Sequence, residues 1–324
     1  MMEQITATFF DLVRDMMPEV DARMRLSPGH HNENLYAAIE HLLSSGGKRV
    51  RPTVTLLTAG MLGADHDRAV TLAAAIEMLH TASLVHDDLI DGALLRRGIP
   101  TLNAQWTTGA TVLTGDYVFA RAAHLASQTG SLAVMDLFAR TLMTIVNGEI
   151  NQLFRTPRGD IRQDYFERIY AKTASLFELA TTGAALLCDS EPDLVEKMRA
   201  FGYNIGVAFQ IVDDVLDFAG DQRRVGKPLA SDLRQGLITL PTLCYLESTP
   251  NERELYGLLD EQRLEEADLG RLIEAIRSSD AIDRALEEAE GFAVMGEELL
   301  SGMPATPQKA ALADLARYVV RRTL

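Results

Sequence analysis

Residues 84–91 read LVHDDLID, and residues 210–217 read QIVDDVLD. Each stretch places three aspartates within five positions at the end of an apolar run: Asp87, Asp88 and Asp91 in the first, Asp213, Asp214 and Asp217 in the second. In a helix, positions i, i+1 and i+4 fall within about 100° of arc, so each trio projects from one side. Such crowding raises carboxyl pKa values unless positive charge offsets it. Hard oxygen donors one turn apart that leave coordination positions open suit Mg²⁺, which takes one or two carboxylates, waters and substrate phosphate oxygens. A solvated acidic helix end is the simpler explanation of one such cluster. A second copy, with bases behind each, counts against it. Arg96 and Arg97 follow the first cluster; Arg223, Arg224 and Lys227 follow the second.

Further bases stand where an anion could be received. GGKRVRP, residues 46–52, puts Lys48, Arg49 and Arg51 at a glycine-rich helix start, where free backbone N–H groups also favour anions. Arg96 and Arg97 in LRRG can meet phosphate oxygens with paired donors. Acids that hold Mg²⁺, with bases close by, suit a phosphate-rich ligand.

The elements that must position these groups are helical. Ala, Leu, Glu, Met and Arg are plentiful and alternating β-branched runs are rare, which predicts an all-α fold. The pattern predicts an amphipathic helix over residues 3–24, stopped by SPGH, and another over 33–44, stopped by SSGGK. Pro52 suits the first turn of a helix running to about Met61. Residues 66–91 are apolar on nearly every face, as in the central helix of a large bundle. Further helices are expected at roughly 103–127, 131–153, 162–187 and 192–219, and more polar ones at about 251–260, 263–277, 279–301 and 306–322. The irregular stretch from Gly220 to Gly236 is long enough to suggest a functional loop.

Composition narrows the class. The 324 residues carry a net charge of −15, from 46 acids against 31 bases, which disfavours nucleic acid as a partner. Two cysteines without CxxC spacing make neither a disulfide framework nor a zinc site and fit a reducing cytoplasm. The N-terminus lacks the basic start and cleavage site of a signal peptide, and Glu77 and His80 interrupt the best candidate membrane span, Leu72 to Val85. The expectation is one domain over residues 1–324 in a cytoplasmic protein.

The order GGKRVRP, LVHDDLIDGALLRRGIPT, GEINQL, KTASLF, FQIVDDVLDFAG, GKPLASD resembles that of the trans-isoprenyl diphosphate synthases, the polyprenyl synthetase family, over about residues 30–245. The resemblance implies a helical bundle around a deep central cavity, usually a homodimer, and three Mg²⁺ ions when substrate is bound. It implies that isopentenyl diphosphate attacks the cation left when an allylic diphosphate ionises. By position, Asp87, Asp88, Asp91, Asp213, Asp214 and Asp217 match the metal-binding acids, with Asp87, Asp91 and Asp213 the first choices for direct ligands. Arg96, Lys172 and Lys227 match contacts to the allylic diphosphate. Lys48, Arg51, His80 and Arg97 match the isopentenyl diphosphate site. Thr173 and Gln210 match groups near the reacting carbon, and with Lys172 they are the expected catalytic residues. Glu149 and Gln152 read as packing or supporting groups. Leu237 stands where many relatives carry a second lysine, with Arg234 as a candidate substitute.

Product length is read from what lines the apolar path. Ala82 and Ser83, before the first cluster, are small where bulky aromatics close the cavity early in short-chain relatives. Below them come Met78 and Leu79, then Ala74 and Ala75; Val134 and Phe138 are candidates for the floor, with plain core packing as the alternative. This predicts a long-chain all-trans polyprenyl diphosphate of quinone side-chain type. The alternatives are a farnesyl or geranylgeranyl diphosphate synthase, or a subunit of a heteromeric synthase. A class I terpene cyclase shares the ionisation step, but usually has a single aspartate cluster paired with an Asn/Ser/Glu metal motif.

Overall fold

The computed structural model describes residues 9–27, 29, 31–44, 46–154, 160–219, 229–249 and 266–321. The described residues are almost entirely helical. The exception is a hairpin of two-residue strands, β1 (Leu95–Arg96) and β2 (Ile99–Pro100), paired antiparallel. Successive helices are α1 (Met17–Met24), α2 (Glu33–Ser44), α3 (Val50–Leu62), α4 (His66–Ile90), α5 (Leu102–Gln105), α6 (Thr108–Gln128), α7 (Leu132–Leu153) and α8 (Ile161–Ile169). A π-helical turn over Tyr170–Ala174 leads into α9 (Ser175–Leu187). Then come α10 (Pro192–Ala219), α11 (Ser231–Arg234), α12 (Leu240–Ser248), α13 (Glu266–Ser278), α14 (Ala281–Leu299) and α15 (Pro307–Arg321).

The chain forms two compact units. One comprises residues 1–143, 176–202 and 302–314; the other comprises 144–175, 203–301 and 315–324. In the first, α4 packs chiefly on α6, and also on α3 and α1. The Asp65 side chain accepts from Arg68 N to start α4, and Asp91 ends it. By length and hydropathy α4 could cross a membrane, but 72% of its apolar window is buried, as expected of a core helix. Gly202 lets α10 close on α9: a Cβ there would lie 2.6 Å from the Phe177 carbonyl oxygen. In the second unit, α12, α13 and α14 pack on one another around Leu243, Leu272, Ile276, Ala285 and Ala289.

Several boundaries differ from those expected. The helix predicted over 3–24 is interrupted by a 3₁₀ turn at Arg14–Met16, and a new helix starts at Met17 with Pro18 in its first turn, where a missing N–H costs nothing. The helix predicted over 103–127 is two helices, because Thr107 caps the second by accepting from Ala110 N. The stretch 220–236 contains α11, and α12 was not foreseen although Pro241 marks its first turn. The helix expected at 251–260, the loop residues 220–228 and Lys227 lie outside the described residues.

Candidate active site

In the first unit, the aspartate cluster closes α4. Asp91 N bonds to the Asp87 carbonyl at 2.8 Å, which places these two residues one helical turn apart. Asp87 is 8% exposed and Asp88 7%, while Asp91 is open to solvent. Asp88 is committed within the protein: Arg96 Nε donates to both of its oxygens at 2.8 and 3.0 Å, and Arg96 Nη2 lies 2.8 Å from Oδ1. The hairpin β1–β2 carries Arg96 back to this carboxylate. Paired donors on one carboxylate are strong where solvent is scarce.

The basic motifs gather in the same unit. Arg49 has left-handed backbone (φ 47°) where α3 begins, and its guanidinium reaches Glu77 at 2.9 Å and Asp21 at 3.1 Å. Glu77 is nearly buried on α4, one turn before His80. Arg97 also has positive φ (53°) and donates to the Gly46 carbonyl. Arg51 lies over the Phe177 ring at 5.2 Å, and Lys48 is exposed. His80 is half-buried by surface yet set deep. Burial first, then the fields of Arg51, Arg97, Arg96 and Arg49, hold its pKa well below the ordinary value. The four guanidinium groups make the surroundings of His80 electropositive and favour its neutral form.

The second unit holds the other cluster. Asp214 is 3% exposed and accepts from Tyr165 OH at 2.7 Å and from Gln210 Nε2 at 2.8 Å. Burial, reinforced by the charge of Asp232, raises its pKa to about 7, against the two hydrogen bonds. The Tyr165 phenol is pushed well above its usual range by burial and then by Asp214. Asp217 accepts from Ser231 Oγ at 2.7 Å and from Asp232 N at 3.1 Å, which ties the LASD segment to the cluster.

Lys172 and Thr173 sit on the π turn, a local irregularity frequent at functional sites. Lys172 Nζ lies 3.1 Å from Glu149 Oε1, so Glu149 supports the lysine. Thr173 Oγ1 donates to Gln210 Oε1 at 2.6 Å. Gly148 permits this arrangement, since a Cβ there would lie 2.4 Å from the Cβ of Ala171. Arg234, the candidate substitute for the family lysine, is paired with Glu266 and donates to the Leu229 carbonyl. Leu237 is half-buried. Gln152 lines a cleft of about 280 Å³ with Asn147, Asn151, Phe154, Asp164 and Arg168.

Asp88, Asp214 and Asp217 are held by donors of the protein itself. Among the described residues, no three His, Cys, Asp or Glu side chains are gathered to hold an ion alone. Asp87 and Asp91, one turn apart at the end of α4, are hard oxygen donors of the kind Mg²⁺ takes, with its remaining positions left to water and phosphate. The residues expected to set product length are placed in the first unit. Ala82 and Met78 are fully buried on α4, and Phe138 and Val134 on α7; Ser83 is half-buried, with its hydroxyl on the His80 carbonyl at 2.8 Å. Tyr165 escaped the sequence reading. Its signal was its position seven residues before Lys172, two helical turns away.

An all-α fold with two aspartate clusters, a histidine set among arginines and a lysine–threonine pair on a π turn carries the donors that diphosphate esters require. Residues 32–276 match the polyprenyl synthetase family. The chain is 35% identical over 314 residues to heptaprenyl diphosphate synthase component 2 of Geobacillus stearothermophilus, covering 97% of this chain and 98% of the relative. It is 35% identical over 284 residues to the octaprenyl diphosphate synthase of Escherichia coli K12, covering 87% and 88%. The crystal structure of polyprenyl synthase from Caulobacter crescentus CB15, complexed with calcium and isoprenyl diphosphate, aligns with a TM-score of 0.86 at 36% identity, over 97% of this chain and 96% of that one. The chain belongs to the polyprenyl synthetase family of trans-isoprenyl diphosphate synthases. It is a chain-elongating trans-prenyltransferase with the all-α isoprenoid synthase fold.

Proposed function

We propose that this enzyme makes a long-chain all-trans polyprenyl diphosphate of quinone side-chain type, adding isopentenyl diphosphate repeatedly to an allylic diphosphate. The observation that supports this product class is Ala82, fully buried five residues before Asp87. Its side chain is small where a large one would stop the growing chain. An extended isoprene unit is about 5 Å long, close to the roughly 5.4 Å rise of a helical turn, so each turn of small residues along α4 admits about one more unit. The heptaprenyl and octaprenyl relatives support the same reading.

Within it, both aspartate clusters serve the allylic diphosphate, with Asp87, Asp91 and Asp213 as the metal-binding acids and Arg96, Lys172 and Lys227 contacting phosphate. Three Mg²⁺ ions, when bound, would neutralise the charge that grows on the departing diphosphate. Lys48, Arg51, Arg97 and neutral His80 receive isopentenyl diphosphate. The Thr173 and Gln210 dipoles face the cation as it forms, in surroundings that keep water out. The calcium and isoprenyl diphosphate bound by the Caulobacter relative are in keeping with this assignment.

We read the whole chain as one catalytic domain acting in the cytoplasm as a homodimer. The dimer is supported by Val146, Ile150, Leu153 and Phe154, an exposed apolar stripe along α7 and its end. A second reading, a subunit that needs a different partner chain, is favoured by the naming of the Geobacillus relative as a component 2. Purified protein given Mg²⁺, farnesyl diphosphate and isopentenyl diphosphate separates these. Products well beyond geranylgeranyl diphosphate are expected. Arrest at that length overturns the long-chain assignment, and an inert pure chain favours the heteromer.

A further inference from the structure

A run of hydrogen bonds in the second unit links the aspartate cluster to the π turn. Tyr165 OH donates to Asp214 Oδ2 at 2.7 Å. Asp214 Oδ1 accepts from Gln210 Nε2 at 2.8 Å. Gln210 Oε1, the other end of the same amide, accepts from Thr173 Oγ1 at 2.6 Å. The Gln210 amide fixes the sense of its two links, because it presents donors on one side and an acceptor on the other, and Asp214 when ionised can only accept.

We propose that Tyr165 is a positioning residue for prenyl transfer, fixing through Asp214 and Gln210 the direction in which the Thr173 hydroxyl points its proton. A hydroxyl has one proton and two lone pairs. With its proton committed to Gln210, Thr173 offers lone pairs to its other surroundings. Lone pairs attract a developing carbocation and an O–H dipole repels it. If the Gln210 amide turned over, its NH₂ would donate to Thr173 and the threonine proton would be free to face the cation. The amide is held because Asp214 accepts from it, and the phenol holds the Asp214 carboxyl in the orientation that does so.

The ring itself needs no hydroxyl to stay in place. Phe166 packs against it edge-on at 5.2 Å, and the Arg168 guanidinium covers it at 5.6 Å while donating to the Ile238 carbonyl. The phenolic oxygen is therefore separable from the packing. Buried hydrogen-bond runs of this kind act as a unit, and coupled residues lose function non-additively.

This inference rests on the reading that Thr173 faces the reacting carbon, and a double-mutant cycle tests the two apart. In the full-length enzyme, Tyr165→Phe is expected to lower kcat about tenfold, with KM for isopentenyl diphosphate within about twofold of wild type. Thr173→Val should cost at least as much, and the double variant no more than the worse single one. 4-Aminophenylalanine in place of Tyr165 keeps a ring and a donor at the same place and should restore most of kcat. Additive losses, full activity in Tyr165→Phe, or a loss matched by a smaller fraction of folded active sites overturns the relay while leaving Thr173 in place. Full activity in Thr173→Val removes the site reading, and the relay with it. Should Tyr165→Phe fold poorly, its kcat per folded active site is compared with that of the 4-aminophenylalanine protein at low temperature, and equal values overturn the relay.

Discussion

Arg49 Nη1 lies 2.9 Å from Glu77 Oε1, and this ion pair holds a non-glycine residue in the left-handed region. That backbone costs about 1 kcal/mol for an L-residue. It persists because the guanidinium is tied to Glu77 and to Asp21, and it turns GGKRVRP into α3. Glu77→Gln keeps the shape and an acceptor but removes the charge. It is expected to destabilise the fold by about 1–3 kcal/mol. KM for isopentenyl diphosphate should rise more than kcat falls, since Lys48 and Arg51 flank the strained residue. Thermal denaturation with steady-state kinetics checks both, and an unchanged KM would detach this pair from substrate binding.

Gly148→Ala would force a methyl group against the Ala171 Cβ, whose ideal separation is only 2.4 Å. Overpacking of this kind costs about 1–3 kcal/mol, and here it would fall beside Lys172 and its partner Glu149. Activity should drop together with stability. Ala171→Gly in the same chain removes the colliding atom and should recover part of both. Failure of the second change to recover either would locate the damage elsewhere.

Ala82→Phe should shorten the product to about farnesyl or geranylgeranyl diphosphate, since the ring would cross the path of the chain about one turn below the aspartates. Chromatography of the product from labelled isopentenyl diphosphate reads this directly. Products of wild-type length would defeat the account of α4 as the wall that sets chain length.

His80 makes folding sensitive to acid. In the unfolded chain it takes up a proton near its ordinary pKa of 6.5, while in the folded chain burial and the neighbouring arginines delay this to lower pH. The unfolded state then binds more protons, so stability falls as pH drops through 6.5 toward the depressed native value. His80→Asn removes this contribution. The gap in thermal midpoint between about pH 7.5 and pH 5.5 should narrow in the variant, and an unchanged gap would mean that His80 titrates freely when folded.

The helical pattern carried the fold because its signals are local. The apolar faces of 33–44, 66–90 and 192–219 and the caps around them are read from neighbours in sequence. The misses arose where one residue overrode the pattern: Pro18 restarted a helix, Thr107 capped one, and Pro241 opened one that sequence reading had passed over. At the site, the aspartates, Lys172 and Gln210 stood out by type and spacing. Which aspartates are engaged by the protein did not, because their partners lie elsewhere in the chain. Asp214 takes its hydrogen bond from Tyr165, 49 positions away, and such pairings follow from packing. The commitment of Arg234 to Glu266 was hidden for the same reason.

The π turn at Tyr170–Ala174 has a consequence for how the gene can vary. A widened turn holds one more residue than an α-turn, so it takes up that residue without rotating the side chains that follow. Losing a single codon there would let the segment relax into a continuous α-helix with the phase of Ser175–Leu187 nearly unchanged, while the local geometry that presents Lys172 and Thr173 would be lost. A one-residue deletion in this stretch is therefore a hazard to the site and not to the helix that follows it.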